Sequence, residues 1–132
     1  MNLTGSIRQG VPYLFAEATH QGELAFRAAK PASKDRTLAL VVDTGFEGML
    51  ALPESLINRL DFDYVGQEDF RMADNQIRPL PVYLIPVIVG KKRGLGHVIA
   101  AQALLGMEFI STWGSRLELD VMNKKVKLIL RT

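Results

Sequence analysis

Apolar residues along this chain follow the two-residue period of strands far more often than the three-to-four-residue period of helices. Near the end, Leu117, Leu119 and Val121 alternate with Glu118 and Asp120. After the polar Asn123-Lys124-Lys125, the residues Val126, Leu128 and Leu130 alternate with Lys127 and Ile129, which predicts a hairpin. Val11 to Ala16, Glu23 to Ala28 and Thr37 to Val42 read as further strands, separated by the turn-rich His20-Gln21-Gly22 and Pro31-Ala32-Ser33-Lys34-Asp35. Phe70-Arg71-Met72 and Ile77 to Val89 flank the polar Asp74-Asn75-Gln76, a hairpin-like tip. Pro79, Pro81 and Pro86 make the longer arm an edge or bent strand, because proline has no N–H to give to a ladder.

Helical spacing is confined to short stretches. In Pro53-Glu54-Ser55-Leu56-Ile57-Asn58-Arg59-Leu60, Pro and Glu suit a first helical turn, and Leu56, Ile57 and Leu60 share a face. A second helix is predicted over Met107 to Trp113, just after a glycine. No linker, repeat or low-complexity tract divides the chain. The pattern predicts a single mostly-β domain with two short helices, and it assigns no element to Met1 through Gly10.

Composition narrows the chemistry. At 132 residues the chain suits one domain with a real core. It is 48% hydrophobic and 23% charged, as soluble globular proteins are. The formal charge of +2, from 16 basic and 14 acidic residues, is too small to argue for nucleic acid or an anionic membrane. With no cysteine, disulfides, thiolate metal sites and cysteine nucleophiles are excluded. The start, MNLTGSIRQG, lacks the apolar core of a secretory signal, and Val82 to Gly90 is about half a membrane span and contains Pro86. The expectation is a cytoplasmic protein.

The segment Val41-Val42-Asp43-Thr44-Gly45-Phe46-Glu47-Gly48 then stands out, because it ends a buried-strand pattern on a carboxylate. An unpaired ionised Asp is costly to bury, so it becomes protonated, paired or exposed at an edge. Asp, Thr and Gly are also ordinary turn residues. The context weighs against mere punctuation: Gly48-Met49-Leu50-Ala51-Leu52-Pro53 leads into the first helix. About sixty residues on, Ala103-Leu104-Leu105-Gly106 leads into the second.

This combination, from about Thr37 to Leu130, resembles the retropepsin-like aspartic proteases, in particular their small single-domain bacterial members. It rests on the Asp-Thr-Gly, the LALPESLINRL that follows, the Leu-Leu-Gly before a helix and the terminal RLELDVMNKKVKLIL hairpin. The resemblance implies a small closed antiparallel β-barrel of the acid-protease type, with Asp43 catalytic and no metal or organic cofactor. It gives Thr44 a hydroxyl that braces the two active-site loops across a dimer, and Gly45 a close turn beside the carboxylate. Leu104, Leu105 and Gly106 would pack behind the loop. The flap over substrate would correspond to roughly Phe70 to Arg78, with Met72, Ala73, Asp74, Asn75 and Gln76 at its tip. Two features are this chain's own: Phe46 and Glu47 follow the Asp-Thr-Gly, and the flap contains no glycine.

Hydrolysis by this route needs two carboxylates sharing one proton, and the chain has one Asp-Thr-Gly. A second subunit must therefore supply a second Asp43 across a two-fold axis. The expected partners are a second copy of the chain and an extended peptide, with Val42, Phe46, Leu80, Val82 and Ile85 as candidates for apolar pockets. An alternative is a retropepsin-like dimer that binds peptide or scaffolds a partner and cleaves nothing.

Other motifs carry less. Gly94-Leu95-Gly96-His97-Val98-Ile99-Ala100 matches a dinucleotide-binding spacing, but Gly90-Lys91-Lys92-Arg93 separates it from the preceding strand. A loop followed by a strand is expected there, with the basic triplet a solvated hairpin turn. His20 and His97 lack acidic partners at metal-ligand spacing. Ser111, Thr112 and Ser115 have no glycine-flanked nucleophile turn. Trp113 suits a core or interface anchor.

Overall fold

The computed structural model describes residues 1–27, 36–72 and 74–132. Three expected features extend outside them: Ala28 at a strand end, the Pro31 to Asp35 turn, and Ala73 in the hairpin tip. The chain begins with β1 (Asn2–Arg8), β2 (Val11–Ala18), β3 (Leu24–Phe26) and β4 (Thr37–Val42). Next come β5 (Leu50–Leu52), α1 (Glu54–Ile57), β6 (Asp63–Arg71), β7 (Ile77–Val89) and β8 (Lys92–Ala100). It ends with β9 (Leu104–Leu105), α2 (Met107–Trp113), β10 (Gly114–Asp120) and β11 (Lys125–Leu130).

The fold is mostly β, with seven strands closed into a barrel in the order β2-β3-β7-β8-β5-β9-β4 and β4 pairing back onto β2. Closure removes the free edges that an open sheet would present. The expected antiparallel barrel is corrected to a mixed one, since β3–β7, β5–β8 and β4–β9 are parallel. The reason lies in the three shortest strands. β3, β5 and β9 are joined to their parallel neighbours by crossovers rather than by tight turns. β3 and β5 are buried at every residue, as strands covered on both faces are.

Outside the barrel, β1 lies between β2 and β11, and β10 adds to the far side of β11. The unassigned N-terminus is thus a sheet strand. Leu3 is buried, and Gly5 meets the carbonyl oxygen of Tyr13 where a Cβ would stand only 1.8 Å away. The core joins Leu14, Leu40, Leu50, Ile85 and Leu128 from across the sheet to Phe109 of α2. Phe109 stacks between Phe26 and Trp113, at ring centroid distances of 4.7 and 4.9 Å, so Trp113 anchors the core. Burying one such side chain contributes roughly 1.5–3 kcal/mol.

Several local expectations change. The helix foreseen over Pro53 to Leu60 is one turn, after which Arg59 and Leu60 donate to carbonyls three residues back. The Asp74 hairpin is longer than its apolar pattern suggested, because β6 reaches back to Asp63 through mostly exposed residues. β7 is an edge over residues 77–81, where β6 is its one neighbour, and is flanked on both sides over residues 82–84 and 87–89. Its prolines are tolerated because each has a neighbour on one side only. Pro79 and Pro81 precede the first β8 pair at Val82, while Pro86 lies between the last β6 pair at Leu84 and the first β3 pair at Val87. Gly94 to Ala100, expected as loop then strand, is strand throughout, so no helix follows the glycines as a dinucleotide site requires. Lys92 and Arg93 likewise begin β8, with only Gly90 and Lys91 in the turn. Among the described residues, no helix is long and apolar enough to cross a membrane.

Candidate functional site

Asp43 follows directly on β4, whose last residue, Val42, is buried. Its own N–H donates to the Leu105 carbonyl at 2.9 Å, extending the parallel ladder that pairs Val41 with Leu104 and Val42 with Leu105. On its other side, β9 pairs antiparallel with β5, Leu50 opposite Leu105 and Ala51 opposite Leu104. Leu104 and Leu105 are therefore inserted between the strand entering the Asp-Thr-Gly loop and the strand leaving it.

The loop is also tied to α2. A helix start leaves backbone donors without partners, and α2 has no side-chain cap. The loop supplies acceptors instead: Met107 N–H donates to the Phe46 carbonyl at 2.8 Å, and Glu108 N–H to that of Gly48 at 3.3 Å. Gly106 N–H donates to the Met49 carbonyl at 2.9 Å. Gly106 is required by this close approach, since a Cβ there would stand 2.1 Å from the Gly48 carbonyl oxygen.

Within the loop, Gly45 N–H donates to Asp43 Oδ1 at 2.9 Å and Phe46 N–H to the Asp43 carbonyl at 3.2 Å. The first bond fixes the half-buried carboxylate over its own turn. A Cβ on Gly45 would lie 3.3 Å from that same oxygen, so this glycine serves proximity. Thr44 is exposed, and its hydroxyl bonds nothing within the described residues.

Phe46 turns the other way. Its ring covers the backbone of Gly48 and Gly106 and packs on a small cluster of Ala51, Val82 and Ile99, together with Phe70 and Leu80. The loop and the β6–β7 hairpin thus meet through Phe46. The tip is held by its own bonds. Met72 N–H donates to the Gln76 carbonyl, Asn75 N–H to that of Met72, and Gln76 N–H to Asp74 Oδ1. Asn75 adopts φ +66°, the left-handed conformation that a glycine would otherwise supply. Among the described residues no hydrogen bond or ion pair joins Met72, Asp74, Asn75 or Gln76 to the Asp43 loop.

A cleft of about 180 Å³ opens beside Phe46. Antiparallel register puts Glu68, Phe70, Val82, His97 and Ile99 on one face of the β6–β7–β8 ladder, since directly opposed residues share a face. Gly48 and Met49 of the loop, Leu50 of β5 and Glu108 of α2 close the other side. Phe46 and Val82, two expected pocket residues, line it, whereas Ile85 is core and Asp43 is not part of the lining. Glu68 and Glu108 were not singled out from sequence, and His97 was set aside there as lacking an acidic partner at metal-ligand spacing. His97 Nδ1 stands 3.8 Å from Glu108 Oε1, across a separation that no short motif spans. Glu68 belongs to the part of β6 that polar composition concealed, and only the folded register places it opposite Leu80.

The other candidates are satisfied locally. Ser111 and Thr112 donate to the Glu108 carbonyl, Ser115 to that of Ile129, and His20 is paired with Arg36. Among the described residues no group of three His, Asp or Glu side chains is placed to hold a metal ion.

No protein-family model, curated protein or solved structure matches this chain.

Proposed function

We propose that this chain is a retropepsin-like aspartic endopeptidase working as a homodimer, with Asp43 of each subunit forming the catalytic dyad. One observation carries the reading. Asp43 is aimed by a single turn at the end of the half-buried strand β4, and that turn is clamped by β9 and by the start of α2. Punctuation alone would not require Leu104-Leu105-Gly106 to be threaded behind it. The exposed Thr44 hydroxyl is free to bond to the second copy. The resemblance in sequence gives the same residues these roles.

In the proposed reaction the two carboxylates share one proton. The ionised member takes a proton from water, whose oxygen attacks the scissile carbonyl carbon. The protonated member gives its proton to the carbonyl oxygen. Collapse of the tetrahedral species breaks the C–N bond, and the amine leaves with a proton returned from the dyad. The β6–β7 hairpin would lie over an extended peptide, whose backbone pairs with strand edges.

A second reading is a dimeric module that binds peptide without cutting it. Phe46 favours it, because its ring occupies space between the loop and the hairpin. Cleavage of a diverse peptide library from about pH 3.5 to 7, where a coupled carboxylate pair can hold one proton, separates the two. Wild type is run beside Asp43→Asn, and each is checked for dimer by sedimentation. Cleavage by wild type alone, with both variants dimeric, supports the peptidase. A dimer that cleaves nothing supports the module, and a monomer removes the dyad.

A further inference from the structure

The cleft beside Phe46 combines an apolar floor with an acidic mouth. Phe70, Val82 and Ile99 form the floor, while Glu68 from the hairpin and Glu108 from the start of α2 flank it from opposite walls. Its volume of about 180 Å³ suits one side chain and is too small for a whole organic cofactor. Glu68 makes no hydrogen bond or ion pair among the described residues, and Glu108 has only His97, at 3.8 Å, near its carboxylate. We infer that this cleft is a specificity pocket for a cationic side chain, lysine or arginine, of an extended peptide. The inference rests on the reading of the hairpin and the Asp43 loop as a peptide cleft, but not on cleavage.

The fit follows from the two ends of such a side chain. A lysine or arginine buries its methylene stem against apolar surface while its charged head stays at the mouth, where water reaches it. The floor takes the stem, and the two carboxylates meet the head. Aliphatic side chains would gain the floor alone, and acidic ones would face Glu68 and Glu108. Because both carboxylates are solvent-exposed, their contribution is that of surface ion pairs, and two together give about five- to tenfold preference.

Three extended peptides differing at one central position (lysine, norleucine or glutamate) test this. Binding is read by fluorescence anisotropy on the full chain carrying Asp43→Asn, which prevents turnover, in one buffer at about pH 7.5 for all three peptides. The lysine peptide should bind about five- to tenfold more tightly than the norleucine peptide and more tightly still than the glutamate one. Adding Glu68→Gln and Glu108→Gln together should erase the preference for lysine while leaving norleucine binding within about twofold. Glu68→Lys should favour the glutamate peptide. Equal binding of lysine and norleucine peptides, or a preference that survives the double substitution, overturns the pocket. Binding of none of the three overturns the pocket and the peptide cleft together. A lysine preference that the double substitution erases, in a chain whose wild type cleaves nothing, leaves the pocket standing and removes only the peptidase.

Discussion

The ring of Phe46 lies against Gly106: a Cβ on that glycine would stand 2.7 Å from Phe46 Cδ2, and equally 2.7 Å from the Phe46 carbonyl oxygen. The residue after Asp-Thr-Gly and the glycine after Leu-Leu, sixty positions apart, form one packed unit. Two glycines beneath the same ring should respond differently to alanine. At Gly106 the obstacle includes the Gly48 carbonyl, which cannot rotate away, so Gly106→Ala should cost about 3 kcal/mol. At Gly48 the obstacle is the far end of the Phe46 ring, which can move, so Gly48→Ala should cost about 1 kcal/mol. Adding Phe46→Leu should recover part of the second loss and little of the first. Urea midpoints for the four single and double variants check this, and equal costs at the two glycines would refute the packing argument.

Asp43 has a structural bond as well as its proposed chemistry, and two substitutions separate them. Asparagine keeps an oxygen for the Gly45 N–H, so Asp43→Asn should change stability by less than about 0.5 kcal/mol. Alanine removes the acceptor and should cost about 1 kcal/mol. If the dyad reading holds, both lose cleavage, by at least about a hundredfold relative to wild type. Thermal melts beside peptide turnover give both quantities, and activity surviving in Asp43→Asn excludes the carboxylate from catalysis.

The hairpin tip depends on a left-handed residue that is not glycine. Asn75→Ala should destabilise by about 1 kcal/mol, because alanine tolerates φ +66° less readily than asparagine does. Asn75→Gly should be close to neutral in stability. It should also speed hydrogen exchange at Met72 and Gln76, whose bonds close the tip. Unchanged stability in Asn75→Ala would show that the tip does not need this conformation.

Asp120 closes the β10–β11 turn by accepting from the Asn123 side-chain amide at 2.9 Å and from its backbone N–H at 3.1 Å. The amide bond foremost, then the backbone bond, holds its pKa below the ordinary 3.8, with Lys125 adding a smaller pull. A carboxyl lowered on folding stabilises the fold above its unfolded pKa, and this is lost as pH falls through the folded value. Wild type should therefore lead Asp120→Asn in stability near neutral pH, with the gap narrowing below about pH 3.8. Denaturation of both proteins across that range tests the sign, and a constant gap would refute it.

Local pattern and tertiary structure divide the chain unevenly. Alternation was enough to find the β10–β11 hairpin, although Val121 falls in its turn and Lys125 in β11, and α2 ran over Met107 to Trp113 as its spacing implied. The Asp-Thr-Gly and Leu-Leu-Gly segments were also legible as unusual strand ends. β6 was not legible beyond its last residues, because a strand exposed along most of its length has no apolar alternation to read. The parallel pairings of β3, β5 and β9 were hidden for the opposite reason: a strand buried on both faces loses alternation and leaves its partner unspecified.

Sequence by itself therefore determined the class of fold, its two short helices and the residue types available at the Asp43 turn. Those follow from backbone preference and from which side chains must leave water, both set within a few residues. Only tertiary structure decided that β9 threads behind Asp43, that Phe46 faces the hairpin, and that Glu68 and Glu108 flank one cleft. These relations join residues twenty to sixty positions apart. They are selected by closure of the barrel and the need to satisfy backbone donors at α2, conditions that exist only once the whole chain is folded.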